Sequence, residues 1–187
     1  YRDPKQFFSR TYLTEGLSSL LVGAAKRLYG SGGDPVVELQ TNFGGGKTHG
    51  LTAVYHLAGG ARPANIAEFI DPSLLPDSAV QVAALVGDAL DPTAGVDTDG
   101  HRTYTLWGEM AAQIGDNAFS VMAANDAERT APGTGTIKAA FGGKPTIVIV
   151  DEIAKYLRAV SSSGSEDVRR MARAIPVFLG NLFEVAS

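Results

Sequence analysis

The stretch Val36-Val37-Glu38-Leu39-Gln40-Thr41-Asn42-Phe43-Gly44-Gly45-Gly46-Lys47-Thr48-His49 decides how this chain reads. A short β-branched run enters three consecutive glycines, and Leu51, Val54, Tyr55 and Ala58 then recur at helical spacing up to Gly59-Gly60. The predicted order is strand, glycine loop, helix. Glycines let backbone amides approach an anion closely, and the N-terminus of the following helix adds the positive end of its dipole. In such an arrangement the amides of Gly44, Gly45 and Gly46 and the ammonium of Lys47 suit the β- and γ-phosphates of ATP, and the Thr48 hydroxyl suits Mg²⁺. Phe43 and His49 flank the string and complete the expected nucleotide-binding set. One position departs from the usual P-loop pattern, since Thr41 stands where that pattern opens on glycine. The plain alternative is a flexible turn carrying a solvated lysine.

A second string weighs against that alternative. Thr146-Ile147-Val148-Ile149-Val150 is a continuous apolar β-run, which implies a strand covered on both faces, and it ends in Asp151-Glu152. An Asp at the tip of such a strand suits the Mg²⁺ shell, and the Glu beside it can orient and deprotonate an attacking water. Lys47 and Glu152 are thus the expected catalytic pair, with Thr48 and Asp151 as metal ligands. The fold class that follows is α/β: a P-loop NTPase three-layer sandwich with a mainly parallel sheet. P-loop proteins with an acid directly after the metal-binding Asp insert a further strand between the P-loop strand and the Asp-bearing strand. That strand follows Asp151-Glu152 in sequence, so the sheet is expected to be incomplete at its C-terminal end.

Around these motifs the periodicity predicts a helix over Leu17–Leu28 behind Thr14-Glu15, a short helix from Pro63 to Ile70, a buried strand over Val80–Val86 and a surface loop from Asp91 to Arg102. A helix from about Tyr104, another through Ile153-Tyr156-Leu157, and a last one from Val168 to Val185 with a kink at Pro176 follow. Residues 1–35 read as an N-terminal helical segment and residues 36–187 as the P-loop core. His49 and His56, seven apart on one helix, are read as core packing or solvent-facing groups rather than metal ligands. Trp107 is read as core or a domain seam rather than a base-stacking platform, whereas Glu109 is an acid that could approach the nucleotide-bearing sheet edge. Lys155, Arg158, Arg169, Arg170 and Arg173 form the local basic concentration, by default a solvated face and alternatively a contact for a DNA backbone or a neighbouring γ-phosphate.

Composition bounds the rest. The chain has 187 residues, 16 basic and 20 acidic, for a formal charge of −4, so it lacks the overall basic field of a protein that coats nucleic acid. It has no cysteine, hence neither a disulfide framework nor a thiolate metal site, in keeping with a reducing, cytoplasmic setting. No apolar run reaches the roughly 18 residues of a membrane span.

The strings Phe7-Phe8-Ser9-Arg10-Thr11-Tyr12-Leu13-Thr14-Glu15-Gly16-Leu17, Phe43-Gly44-Gly45-Gly46-Lys47-Thr48-His49, Leu106-Trp107-Gly108-Glu109-Met110-Ala111-Ala112-Gln113-Ile114 and Val150-Asp151-Glu152 together resemble the large prokaryotic ATP-binding proteins of the domain of unknown function 499 family. Members of that family resemble AAA+ ATPases, are much longer than this chain, and are often encoded beside DNA methylases, helicases and nucleases in anti-phage loci. The resemblance implies an N-terminal ATPase module of a multidomain, defence-associated protein. Its implied partners are ATP, the remainder of its own longer chain, further copies of itself, and DNA or DNA-modifying proteins. It also implies that Phe8, Tyr12, Leu13 and Thr14 lie over the adenine, with simple packing of the first helix as the alternative. Both chain ends read as borders of a fragment, which alone is expected to bind nucleotide poorly and hydrolyse it hardly at all.

Overall fold

The computed structural model of the protein describes residues 3–40, 46–75, 77 and 80–187. Thr41, Asn42, Phe43, Gly44 and Gly45, which carry much of the predicted phosphate loop, lie outside the described residues. The chain divides into two compact units, Tyr1–Gln81 and Val82–Ser187.

The first unit is helical. Asp3 caps α1 (Pro4–Ser9) by accepting from the amides of Lys5 and Gln6, and Thr14 caps α2 (Glu15–Leu28) by accepting from Leu17. Leu17, Leu21 and Ala25 recur every four residues on the buried side of α2, which packs on α3 (Lys47–Ala58) through Ala53, Val54, Leu57 and Ala58. The predicted short helix is a single 3₁₀ turn at Ile66–Glu68, followed by a second at Pro72–Leu74. The predicted strand Val36–Gln40 is not a strand. Val36 and Val37 are exposed, and the segment is irregular. A continuous apolar strand is stable only with ladder partners and covered faces, and among the described residues this segment pairs with no strand and leaves Val36 and Val37 exposed.

The second unit is mixed α/β. β1 (Gln81–Val86) pairs with β4 (Thr146–Asp151) in a two-stranded parallel sheet, and β2 (Val96–Thr98) pairs antiparallel with β3 (His101–Thr103), with Val96 opposite Thr103. The predicted loop 91–102 therefore contains a hairpin. Five helices complete the unit and pack mainly on one another: α4 (Leu106–Ile114), α5 (Asp116–Glu128), α6 (Thr134–Phe141), α7 (Ile153–Ser161) and α8 (Glu166–Ala186). Helix α4 is buried on every side from Leu106 to Ala112 and forms the centre of the core. Helix α8 presents Val168, Met171, Ile175, Phe178 and Leu182 inward at helical spacing and is a single element across Pro176. Trp107 is fully buried against Phe178, ring centroids 5.5 Å apart, in the core role that its position allows.

The outer edge of β1 is closed by a side chain. The Gln113 amide accepts from Ala84 N at 2.7 Å and donates to Ala84 O at 3.0 Å, occupying the backbone groups a further strand would need. Gln113 also donates to Glu109, whose buried carboxylate accepts from Thr98 and Thr103 as well. Glu109 thus ties the hairpin to β1, in place of the predicted approach to a nucleotide-bearing edge.

Candidate functional site

Two clusters carry the residues singled out by sequence, one in each unit. In the first, Gly46 is the N-cap of α3 with φ 75° and ψ 17°, a left-handed conformation that glycine adopts without a Cβ penalty. Gly46 itself has no side chain with which to cap the helix, and among the described residues no acid stands in the first turn. Lys47 and Thr48 occupy that turn and are exposed. A cation at a helix N-terminus opposes the dipole, so Lys47 is locally unfavourable unless an anion faces the same turn. Thr48 O is used within the helix, accepting from Thr52 Oγ1 at 2.7 Å.

His49, next along, faces α1. Thr11 Oγ1 donates to Phe7 O at 2.8 Å, so the His49 Nε2 that lies 2.9 Å from the same hydroxyl is the donor in that contact. The Phe7 ring packs between His49 and His56, at centroid distances of 4.5 and 5.3 Å. Both histidines are packing groups, as their spacing on one helix face allows. A groove of about 200 Å³ opens here, lined by Gln6, Phe7, Arg10 and His49. The four residues expected over the adenine scatter instead. Phe8 is buried against Phe69 at 5.1 Å, Thr14 caps α2, Leu13 is half-buried, and Tyr12 is 85% exposed. Phe8 follows the packing alternative; the groove residues beside it lacked any periodic signal.

The second cluster is the C-terminal tip of β4. Asp151 Oδ1 accepts from Glu152 N at 3.0 Å, and Glu152 sits at φ 54° and ψ 27° as it enters α7. A non-glycine residue there stores about 1–2 kcal/mol of local strain, a cost found where a side chain must be aimed. Beside it, Gly87 N donates to Asp151 O at 2.9 Å. The approach is close enough that a Cβ on Gly87 would stand 2.3 Å from Glu152 O and 3.2 Å from Tyr156 Cβ. This contact brings Asp88 to the tip, where Lys155 Nζ lies 3.2 Å from Asp88 Oδ2 and 3.4 Å from Glu152 Oε2. The hydrogen bond to Asp88 holds the Lys155 ammonium above its ordinary pKa, aided by the charges of Asp88 and Glu152. Gly87, Asp88 and Lys155 were not anticipated at this site. The signal available was the pair of apolar strands ending alike, in Val86-Gly87-Asp88 and Val150-Asp151-Glu152.

The structure therefore groups Lys47, Thr48 and His49 on one helical turn of the first unit, and Asp151, Glu152, Asp88 and Lys155 at one strand tip of the second. Thr48 and Asp151 offer hard oxygen donors of the kind Mg²⁺ takes, and Mg²⁺ needs only one or two protein ligands. Among the described residues no three His, Cys, Asp or Glu side chains converge into an all-protein metal cage. Of the basic residues, Arg169 donates to Ser163 O and Arg170 pairs with Asp167 on its own helix, which is the behaviour of a solvated face.

Residues 1–187 match the DUF499 N-terminal domain along the entire chain. The chain belongs to this family. No curated protein and no solved structure matches it. The Trp-Gly-Glu helix that carries part of the DUF499 resemblance has a packing role at each of its three positions, although the buried Trp107 indole N–H finds no hydrogen-bond partner among the described residues. Trp107 fills the core, Glu109 anchors the hairpin, and Gly108 makes room for a buried acid, since a Cβ there would meet Asp126 Oδ1 at 2.0 Å. Asp126 in turn accepts from the amides of Tyr104 and Thr105 and from Thr105 Oγ1 at 2.6 Å. Among the described residues no helix is long and apolar enough to cross a membrane.

Proposed function

We propose that this DUF499 domain is the phosphate-binding core of an Mg²⁺-dependent ATPase with an AAA+-like P-loop fold, serving as motor or switch in a larger protein engaged with DNA or anti-phage defence. The observation that carries the reading is the first turn of α3: left-handed Gly46 at the N-cap, then Lys47 and Thr48 exposed at the positive end of the helix. Lys47 and the Gly44, Gly45 and Gly46 amides bind the triphosphate, and Phe43 and His49 flank it. Thr48 and Asp151 hold Mg²⁺, which supplies charge neutralisation of the phosphates. Glu152, aimed by its strained backbone, orients water and takes its proton. The pairing of β1 with β4 supports the expected sheet, because it leaves the Asp-bearing strand one edge for a further strand while Gln113 closes the far edge of β1.

A nucleotide-sensing scaffold that hydrolyses little is the second reading, favoured by the ion pair that occupies Glu152. Glu152→Gln separates the two. In the ATPase it keeps ATP binding and removes turnover, whereas in the scaffold it leaves both the binding and the slow background rate as they are.

A further inference from the structure

We propose that Lys155 is a positioning residue that restrains Glu152, holding its carboxylate in an ion pair from which it must be released before it can serve an attacking water. This inference rests on the ATPase reading above.

Three features at the β4 tip converge on it. Glu152 sits at φ 54° between a strand and a helix, which sets the direction in which its Cα–Cβ bond leaves the tip. Its carboxylate meets Lys155, one helical turn on, with Nζ 3.4 Å from Glu152 Oε2. Lys155 is itself tethered, because Asp88 takes the same ammonium at 3.2 Å, and Asp88 is held in place by the close approach of Gly87 to the Glu152 carbonyl. The ammonium is thus shared by two carboxylates, one on the loop after β1 and one that the ATPase reading makes the base. A base oxygen held by a cation is a poorer acceptor for a water proton than a free one. All three side chains are about half exposed, so the restraint is an adjustable bias rather than a lock.

Sharing gives the two partners of Lys155 opposite effects. Removing the ammonium releases Glu152. Removing the Asp88 charge leaves the ammonium wholly to Glu152 and tightens the restraint. The test is steady-state ATP hydrolysis at saturating ATP and Mg²⁺ by the full-length protein, over a range of salt. Exposed pairs of this kind shift populations roughly two- to fivefold, so Lys155→Gln is expected to raise kcat by that factor with KM for ATP unchanged. Lys155→Arg should return the rate toward the wild-type value. Asp88→Asn should lower kcat, and the double variant should match Lys155→Gln alone. Added salt, which screens an exposed pair, should raise the wild-type kcat toward that of Lys155→Gln and leave Lys155→Gln flat. Glu152-dependent hydrolysis with kcat unchanged or lowered in Lys155→Gln overturns the restraint while sparing the ATPase reading. A wild-type protein whose hydrolysis does not depend on Glu152 overturns both.

Discussion

Substituting Gly87 by alanine probes the architecture of the strand tip most sharply, because the clash it creates is with backbone. The added Cβ would stand 2.3 Å from Glu152 O and 2.8 Å from its carbonyl carbon. Cβ atoms do not approach other atoms within 3.0 Å, so one of the two segments must withdraw by about 0.7 Å or more. Withdrawal stretches the 2.9 Å hydrogen bond from Gly87 N to Asp151 O. Overpacking of this kind costs about 1–3 kcal/mol and the lost hydrogen bond about 1 kcal/mol, for a destabilisation of about 2–4 kcal/mol. On the proposed ATPase reading the catalytic consequence is of similar size, about 2.7 kcal/mol. A displacement near 1 Å at a reacting centre costs roughly a hundredfold in rate, so kcat for ATP should fall by about that factor. Gly16→Ala is the matched control: nothing lies within 4 Å of the position its Cβ would take, and its backbone conformation is one that alanine accepts. Urea unfolding monitored by circular dichroism, together with steady-state hydrolysis, reads both quantities. Wild-type stability and turnover in Gly87→Ala, or equal damage in Gly16→Ala, would refute the reasoning.

The buried Asp126 yields two further predictions. Gly108→Ala drives a Cβ to 2.0 Å from Asp126 Oδ1 and must expel a carboxylate that accepts three strong hydrogen bonds, so it should cost about 3–5 kcal/mol in the same unfolding assay, well above the effect of an ordinary surface change. Burial raises the Asp126 pKa above the ordinary carboxylate value, against the lowering pull of the Thr105 hydroxyl, the backbone amides and Arg129. The folded state then binds a proton that the unfolded state releases, so this group's contribution to stability falls as pH rises from 3.8 through the folded pKa. Asp126→Asn should remove that component, leaving a shallower loss of stability on raising pH across the acid range; an unchanged pH profile of unfolding would contradict the assignment.

What the sequence disclosed, and what it hid, follows from how local each signal is. Helix α2 was legible because Leu17, Leu21 and Ala25 are buried at a regular interval behind a capping threonine, and β4 because four consecutive apolar residues, Ile147 to Val150, end at two acids. Val36–Gln40 has the same composition as a strand and is none, since strand identity depends on neighbours that composition does not encode. The hairpin 96–103 read as a loop because two three-residue strands are too short to show an alternation. Helix α5 escaped notice for a different reason: only Ala118, Met122 and Asp126 of it are buried, and small and polar residues give a weak apolar stripe. At the candidate site, the residues with a motif were legible and their neighbours were not. Asp151-Glu152 announced itself, while Lys155 read as one cation of a basic face and Asp88 belonged to no motif. Their role depends on a chain crossing 67 residues apart, made possible by one glycine.

The central claim is that the turn beginning at Lys47 holds the triphosphate of ATP. Isothermal titration calorimetry of the wild-type protein and of Lys47→Ala with ATP and Mg²⁺ tests it most directly. One charge-assisted contact to the phosphates contributes about 1.5–3 kcal/mol, so Lys47→Ala should weaken ATP binding by at least tenfold and up to about 150-fold while leaving the fold intact. Equal ATP affinity in the two proteins would contradict the account.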